Sequence, residues 1–106
     1  MIKKNKLRGG KFKIKSKIWL YPGMGGWHFI TIGKKQAKDI DRKFGMMKRG
    51  WGSLPVSAKV GKSEWKTSIF PDRKTATYLL AIKLAIRKKE NIKIGDTVKI
   101  TIEINP

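Results

Sequence analysis

Between residues 11 and 21 the chain reads KFKIKSKIWLY, and polar and apolar positions alternate with a period of two. That spacing predicts a half-buried strand. Phe12, Ile14, Ile18 and Leu20 fall on one face, and Lys11, Lys13, Lys15, Lys17, Trp19 and Tyr21 on the other. Residues 22–26 predict a turn. Residues 27–32 (WHFITI) return as a strand apolar on both faces, as a central strand is. The period then changes. Ala37, Ile40 and Phe44 recur at helical spacing, which predicts a helix over 34–44, with Gly45 suited to a C-terminal cap.

A glycine-rich loop follows over 45–53. Strands over 55–60 and 63–70 flank Gly61 and Lys62 as a hairpin, and 71–74 form the next turn, with Pro71 pre-setting φ. A strand over 75–82, a short helix over 84–91, a turn at Gly95 and Asp96, and a strand over 97–104 complete the chain. The expected fold is mostly β: six strands and two short helices in the order ββαβββαβ. It forms a single domain over 11–106, behind a flexible basic arm at 1–10.

Charge changes this picture of an ordinary small domain. Lys and Arg number 26 against 7 Asp and Glu, a net charge of +19. Such a field attracts polyanions. An AT-rich genome also yields chains rich in Lys and Ile, so composition alone is the competing explanation. Only five of the basic residues are Arg, the side chain whose fork reads guanine edges, so backbone contact is expected over base readout. The chain has no Cys and a single histidine, His28, which excludes disulfides, thiolate chemistry and an ordinary zinc site. No metal or other cofactor is expected. No catalytic residue is assigned: the acids are scattered and no nucleophile elbow is present, so an enzyme is not expected. No segment has the length or character of a signal peptide or a bilayer span, which predicts a cytoplasmic protein without an integral membrane segment.

The lysine face of residues 11–17 is the first candidate site, as a strip that follows phosphates, with Trp19 and Tyr21 as stacking surfaces. Its bland reading is the wet side of an edge strand, where lysines also discourage edge-to-edge pairing. Lys34 and Lys35 at a helix start oppose the helix dipole unless an anion is bound there, so they join the candidates. Trp51, in a glycine loop, is a candidate exposed contact. Trp27 and Trp65 lie in strands and are read first as core or barrel-mouth packing. The alternative makes Trp27, Trp51 and Trp65 the lining of one cleft. Residues 23–26 are read as a hairpin turn rather than a phosphate nest, since no helix follows them.

Residues 80–102 (Leu80, Ile82, Ile86, Arg87, Ile92, Gly95, Asp96, Val98, Ile100) resemble the swapped-hairpin unit of AbrB/MazE/MraZ-type barrels, though Glu90 stands where that unit is usually apolar. Over about residues 11–105 the chain more specifically resembles a small prokaryotic family, domain of unknown function family 1905. The features in common are residues 27–30 (WHFI), 50–56 (GWGSLPV), 65–71 (WKTSIFP), 78–80 (YLL), Arg87, Gly95 and Asp96. The resemblance implies a double-split β-barrel and no assigned activity. It also suggests that residues 27–60 are a diverged copy of 78–104, so that one chain holds an internal pseudo-two-fold repeat and acts as a monomeric pseudo-dimer, with a weak dimer as the other outcome. In such barrels a helix Arg holds either a turn carboxylate or a ligand; Asp96 is the candidate partner of Arg87, which is therefore read first as structural.

Two functions from different classes result. The first is a non-enzymatic module that binds the phosphate backbone of DNA or RNA with low specificity. The alternative is a small-ligand or protein-interaction module using the Trp-lined cleft, its basic charge being compositional. Attachment of the arm to anionic membranes is a third and weaker option.

Overall fold

The computed structural model describes residues 10–23 and 25–105. The elements are β1 (Lys11–Lys17), β2 (Trp19–Leu20), β3 (His28–Ile32), α1 (Lys34–Phe44), β4 (Leu54–Val60), β5 (Ser63–Asp72), β6 (Thr77–Ala81), α2 (Leu84–Lys89) and β7 (Thr97–Ile104). The seven strands form one sheet in the order β1-β7-β4-β5-β6-β3-β2, with every pairing antiparallel. The fold is mostly β with two helices, and the sheet curls into a nearly closed barrel.

The seventh strand is a correction to the six expected, and Ile18 is its cause. The run over 11–21 is not one strand. β1 pairs with β7, and β2 pairs with β3 at the opposite end of the sheet. At the switch, the Ile18 N–H donates to the Asp96 carbonyl (3.0 Å) and its carbonyl accepts from the Gly95 N–H (2.9 Å). Its side chain is 1% exposed. One bent segment therefore joins the two ends of the sheet. Leu20, expected inward with Ile18, is exposed because the barrel has ended there.

The inward positions are largely isoleucine: Ile14, Ile30, Ile32, Ile69, Ile100 and Ile102 pack with Leu54, Val56, Leu80 and Trp65. Branched side chains suit a pleated inner wall, and their burial is the main favourable term in folding. α1 has the predicted bounds and turns Ala37 and Ile40 inward. It bridges β1 and β6, which do not pair with each other. Gln36 Nε2 donates to the Lys13 carbonyl (2.8 Å) on one side, and Tyr78 Oη donates to Asp41 Oδ1 (2.6 Å) on the other.

Gly45 caps the helix as expected, its N–H donating to the Asp41 carbonyl; its φ is −57°, and a 3-10 turn over Gly45–Met47 continues from the helix. The turn expected at 71–74 lies at 73–76, because β5 runs on through Pro71 and Asp72 to pair with Tyr78 and Thr77. β4 ends its pairing at Ile69, so Pro71 sits where β5 has one neighbour and a missing N–H is tolerated. α2 stops at Lys89, short of residue 91, where Asn91 takes a left-handed φ of 54°. Residues 1–9 of the expected arm lie outside the described residues, and Gly10 is buried against Phe44 and Ile104 rather than free.

Glu90 also has an account. Its Oε2 accepts from Ser63 Oγ (2.6 Å), and its carboxylate fills the space where Gly61, at φ +56°, has no Cβ. Gly61→Ala forces a left-handed alanine and displaces that carboxylate. The expected cost is about 1–2 kcal/mol, read as a lowered urea midpoint with unchanged m. A Gly61→Ala protein as stable as wild type would mean that the Ser63–Glu90 contact does not hold the hairpin.

Among the described residues no helix is long and apolar enough to cross a membrane.

Candidate nucleic-acid interface

Strand parity places Lys11, Lys13, Lys15 and Lys17 outward and exposed on β1, with Phe12 and Ile14 buried between them. Register then extends the row sideways. Lys15 stands opposite Lys99 on β7, Thr101 stands opposite both Lys13 and Lys59, and Ser57 on β4 stands opposite Lys66 on β5. Lys59, Lys66 and Lys99 are exposed as well. Seven lysines thus share the outer wall of four adjacent strands with Glu64 and Glu103, and a third carboxylate, Asp72, stands at the far end of β5. None of these lysines forms an ion pair; among the described residues the pairs are Arg42–Asp39 and Lys48–Asp41. Sequence reasoning found the β1 row and missed the rest, although the same alternation in β4, β5 and β7 points to Lys59, Lys66 and Lys99.

The other half of the outer wall is of a different kind. Trp19 stands opposite Phe29, Phe29 opposite Ala81, and Thr31 opposite Leu79, with no charged residue among them. Trp19 is partly buried, and its indole N–H donates to Thr31 Oγ1 (2.9 Å). Its ring centroid lies 5.4 Å from that of Phe29. Tyr21 meets Phe29 edge-on at 5.9 Å. Trp27 stacks on Phe29 with ring planes 7° apart. Trp27, expected at the core or the barrel mouth, is outside the core: it precedes β3 and is 55% exposed. The reason is geometric. A barrel wall has only one face toward the core, so the second apolar face of 27–32 covers itself with its own aromatic neighbours. Trp65, by contrast, is in the core as expected.

The three tryptophans do not line one cleft. Trp27 and Trp65 border a cavity of about 390 Å³ with His28 and Arg87. There His28 Nδ1 lies 2.7 Å from the Gly26 carbonyl, so Nδ1 carries the proton, and Nε2 accepts from Arg87 Nη1 at 3.2 Å. Arg87 also donates through Nε to the Ile82 carbonyl (2.9 Å). Its expected partner Asp96 is elsewhere: that carboxylate accepts from the Lys93 N–H (2.8 Å), within its own turn. Arg87 thus links α2 to His28 of β3 and to the carbonyl just after β6, and does not brace the Gly95 turn.

Trp51 belongs to a different region. It lies in a 3-10 turn over Gly50–Gly52, is 90% exposed and has a φ of 65°, an uncommon conformation for a bulky side chain. The loop is held by Arg49 N–H to the Ser53 carbonyl (2.8 Å) and Gly52 N–H to the Arg49 carbonyl (2.8 Å). Gly52, also at positive φ, lets the loop lie against Pro71, whose Cγ would be 3.0 Å from a Cβ there. Trp51, Phe70, Pro71 and Arg73 line an open cleft of about 590 Å³.

Pro71 and Arg73 also border a groove of about 720 Å³ between the first half of α1 and the 73–76 turn. Lys34, Lys35, Lys38 and Lys48 line it, with Tyr78 and Asp41 among the other lining residues. Lys48 Nζ lies 3.0 Å from Asp41 and 5.7 Å from the centre of the Tyr78 ring. Burial, reinforced by the Asp41 hydrogen bond, pushes the Tyr78 hydroxyl far above its ordinary value, so it stays protonated as the donor to Asp41. Lys38, Lys48, Arg73 and Phe70 were not singled out in the sequence, where nothing marks them as neighbours of Lys34 and Trp51.

A family model described as "Domain of unknown function (DUF1905)" matches residues 15–102, from within β1 into β7. No curated protein matches the chain.

Proposed function

Since the chain belongs to the DUF1905 family, whose description assigns no activity, we propose from its own surface that it is a non-enzymatic cytoplasmic module for nucleic acid. It holds the phosphate backbone with low sequence specificity. One observation carries this reading: seven lysines, none in an ion pair among the described residues, cover the wall of β1, β7, β4 and β5, while the aligned outward positions of β2, β3 and β6 carry no charge. Compositional bias would spread lysine over both halves. The wall contains no Arg, which favours point-charge contact with phosphates over readout of base edges. Tyr21 and Trp27, exposed beyond the end of the lysine row, offer faces for unstacked bases.

The architecture is read as a double-split barrel with an internal two-fold. β3 pairs with β6 and β4 with β7, each antiparallel, as equivalent strands of two related halves would. That supports a monomer in which one chain supplies both halves.

Fluorescence anisotropy with single- and double-stranded DNA and RNA of equal length, repeated across salt, tests the function. The expected dissociation constant near physiological salt is about 10⁻⁴–10⁻⁶ M, with log affinity falling linearly in log salt. Single strands are expected to bind tighter than duplexes, and Trp27→Ala to remove that preference while leaving duplex binding unchanged. Affinity that is flat across salt would sink the phosphate-backbone reading.

A further inference from the structure

We infer that the groove between α1 and the 73–76 turn, together with the Trp51 cleft beside it, is a binding site for a free nucleoside di- or triphosphate. The lysine wall does not form this site, and the inference stands without the nucleic-acid reading. Three observations carry it.

The first is shape. At about 720 Å³ the groove falls within the ~300–1,000 Å³ range of small-molecule sites, and it shares Pro71 and Arg73 with the aromatic cleft. A ligand with a charged end and a flat apolar end could occupy both.

The second is charge. Five cations line the groove: Lys34, Lys35, Lys38, Lys48 and Arg73. Lys48 is engaged by Asp41; among the described residues the other four make no ion pair. Asp41 is in turn satisfied by Lys48 and by the Tyr78 hydroxyl, so it opposes an anion little. Asp72, the other lining carboxylate, forms no ion pair among the described residues, and its Oδ1 accepts the Lys74 N–H (3.2 Å). Four free cations suit a chain of two or three phosphates, and a guanidinium can pair with phosphate oxygens bidentately.

The third is the aromatic end. Trp51 is held outward by a hydrogen-bonded loop, against a wall formed by Phe70 and Pro71. An indole there gives a purine or pyrimidine ring a stacking face, worth ~1–3 kcal/mol per base where such contacts have been truncated. Arg73 borders both cavities, placed to meet the phosphate next to the nucleoside.

Calorimetric titration of the whole protein with ADP, pyrophosphate and adenosine at fixed ionic strength tests this. The expected order is ADP tightest, then pyrophosphate, with adenosine barely measurable. Trp51→Ala should weaken ADP at least five-fold and leave pyrophosphate unchanged. Asp72→Asn keeps the turn acceptor, removes the opposing charge and should tighten both anions several-fold, an effect that a damaged fold would not produce. A variant with Lys11, Lys13, Lys15 and Lys17 changed to Ser should keep full ADP affinity. Equal affinity for ADP and pyrophosphate with no effect of Trp51→Ala overturns the inference, since the groove is then a general anion trap. Loss of ADP binding in the four-lysine variant also overturns it, by moving the nucleotide to the wall. Absence of ADP binding overturns it while leaving the oligonucleotide result untouched.

Discussion

Changing Lys11, Lys13, Lys15 and Lys17 together to Ser is expected to weaken oligonucleotide binding by roughly 10²–10³-fold at about 0.15 M salt. Each phosphate neutralised by a lysine releases condensed counterions, so each lost contact reduces the steepness of log affinity against log salt by ~0.7 for single strands and ~0.9 for duplexes. If all four side chains touch phosphates, the slope becomes shallower by about 3. The variant is expected to fold. All four side chains are exposed, and substitutions at such positions usually change stability by no more than ~0.5 kcal/mol each. Lys15 also stands opposite Lys99, so its removal relieves a like-charge pair. A weakened affinity with unchanged slope would assign the loss to something other than phosphate contact, and an unchanged affinity would return the row to the role of a solvated strand face.

The second large effect concerns stability. Ile18→Ala is expected to cost about 2–5 kcal/mol, the range for truncating a buried branched side chain, which lowers the melting temperature by well over ~8 °C in a domain of this size. Leu20→Ala, at the neighbouring position of the same parity, is expected to cost under ~1 kcal/mol because its side chain is half exposed. The contrast is the informative quantity. Ile18 fills the core where the chain leaves β7 and reaches β3, and its two backbone bonds to the 95–96 turn hold that crossing. Equal losses at the two positions, measured by denaturant titration, would mean that the bent segment is an ordinary strand end and not the closure of the barrel.

These two residues also mark where the sequence stops being legible. Period-two alternation reports the face on which a side chain lies, and it placed the lysines outward and Ile14 inward as found. It carries no information about which strand is the partner, and that change of partner splits the 11–21 run at Ile18. α1 was readable to the residue because a helical period is bounded by glycine on both sides. The aromatic wall misled because a strand apolar on both faces reads the same in a two-sided sheet and in a barrel that covers its outside with tryptophan. The groove was hidden for a simpler reason. Lys34, Lys48 and Arg73 come from a helix, a loop and a turn, and only the barrel's closure sets them around one cavity.

That closure has a consequence for how the molecule comes into being. Lys11 pairs with Glu103 and Lys17 with Thr97, so the earliest strand waits for the latest. During synthesis, at about 5–20 residues per second, β1 has no neighbouring strand to pair with until β7 has left the ribosome. Pairing between positions so far apart in sequence also places the chain among slow folders, on a scale of about milliseconds to seconds. In that interval β1 is an open strand carrying a row of lysines, a charge that opposes edge-to-edge pairing between nascent copies.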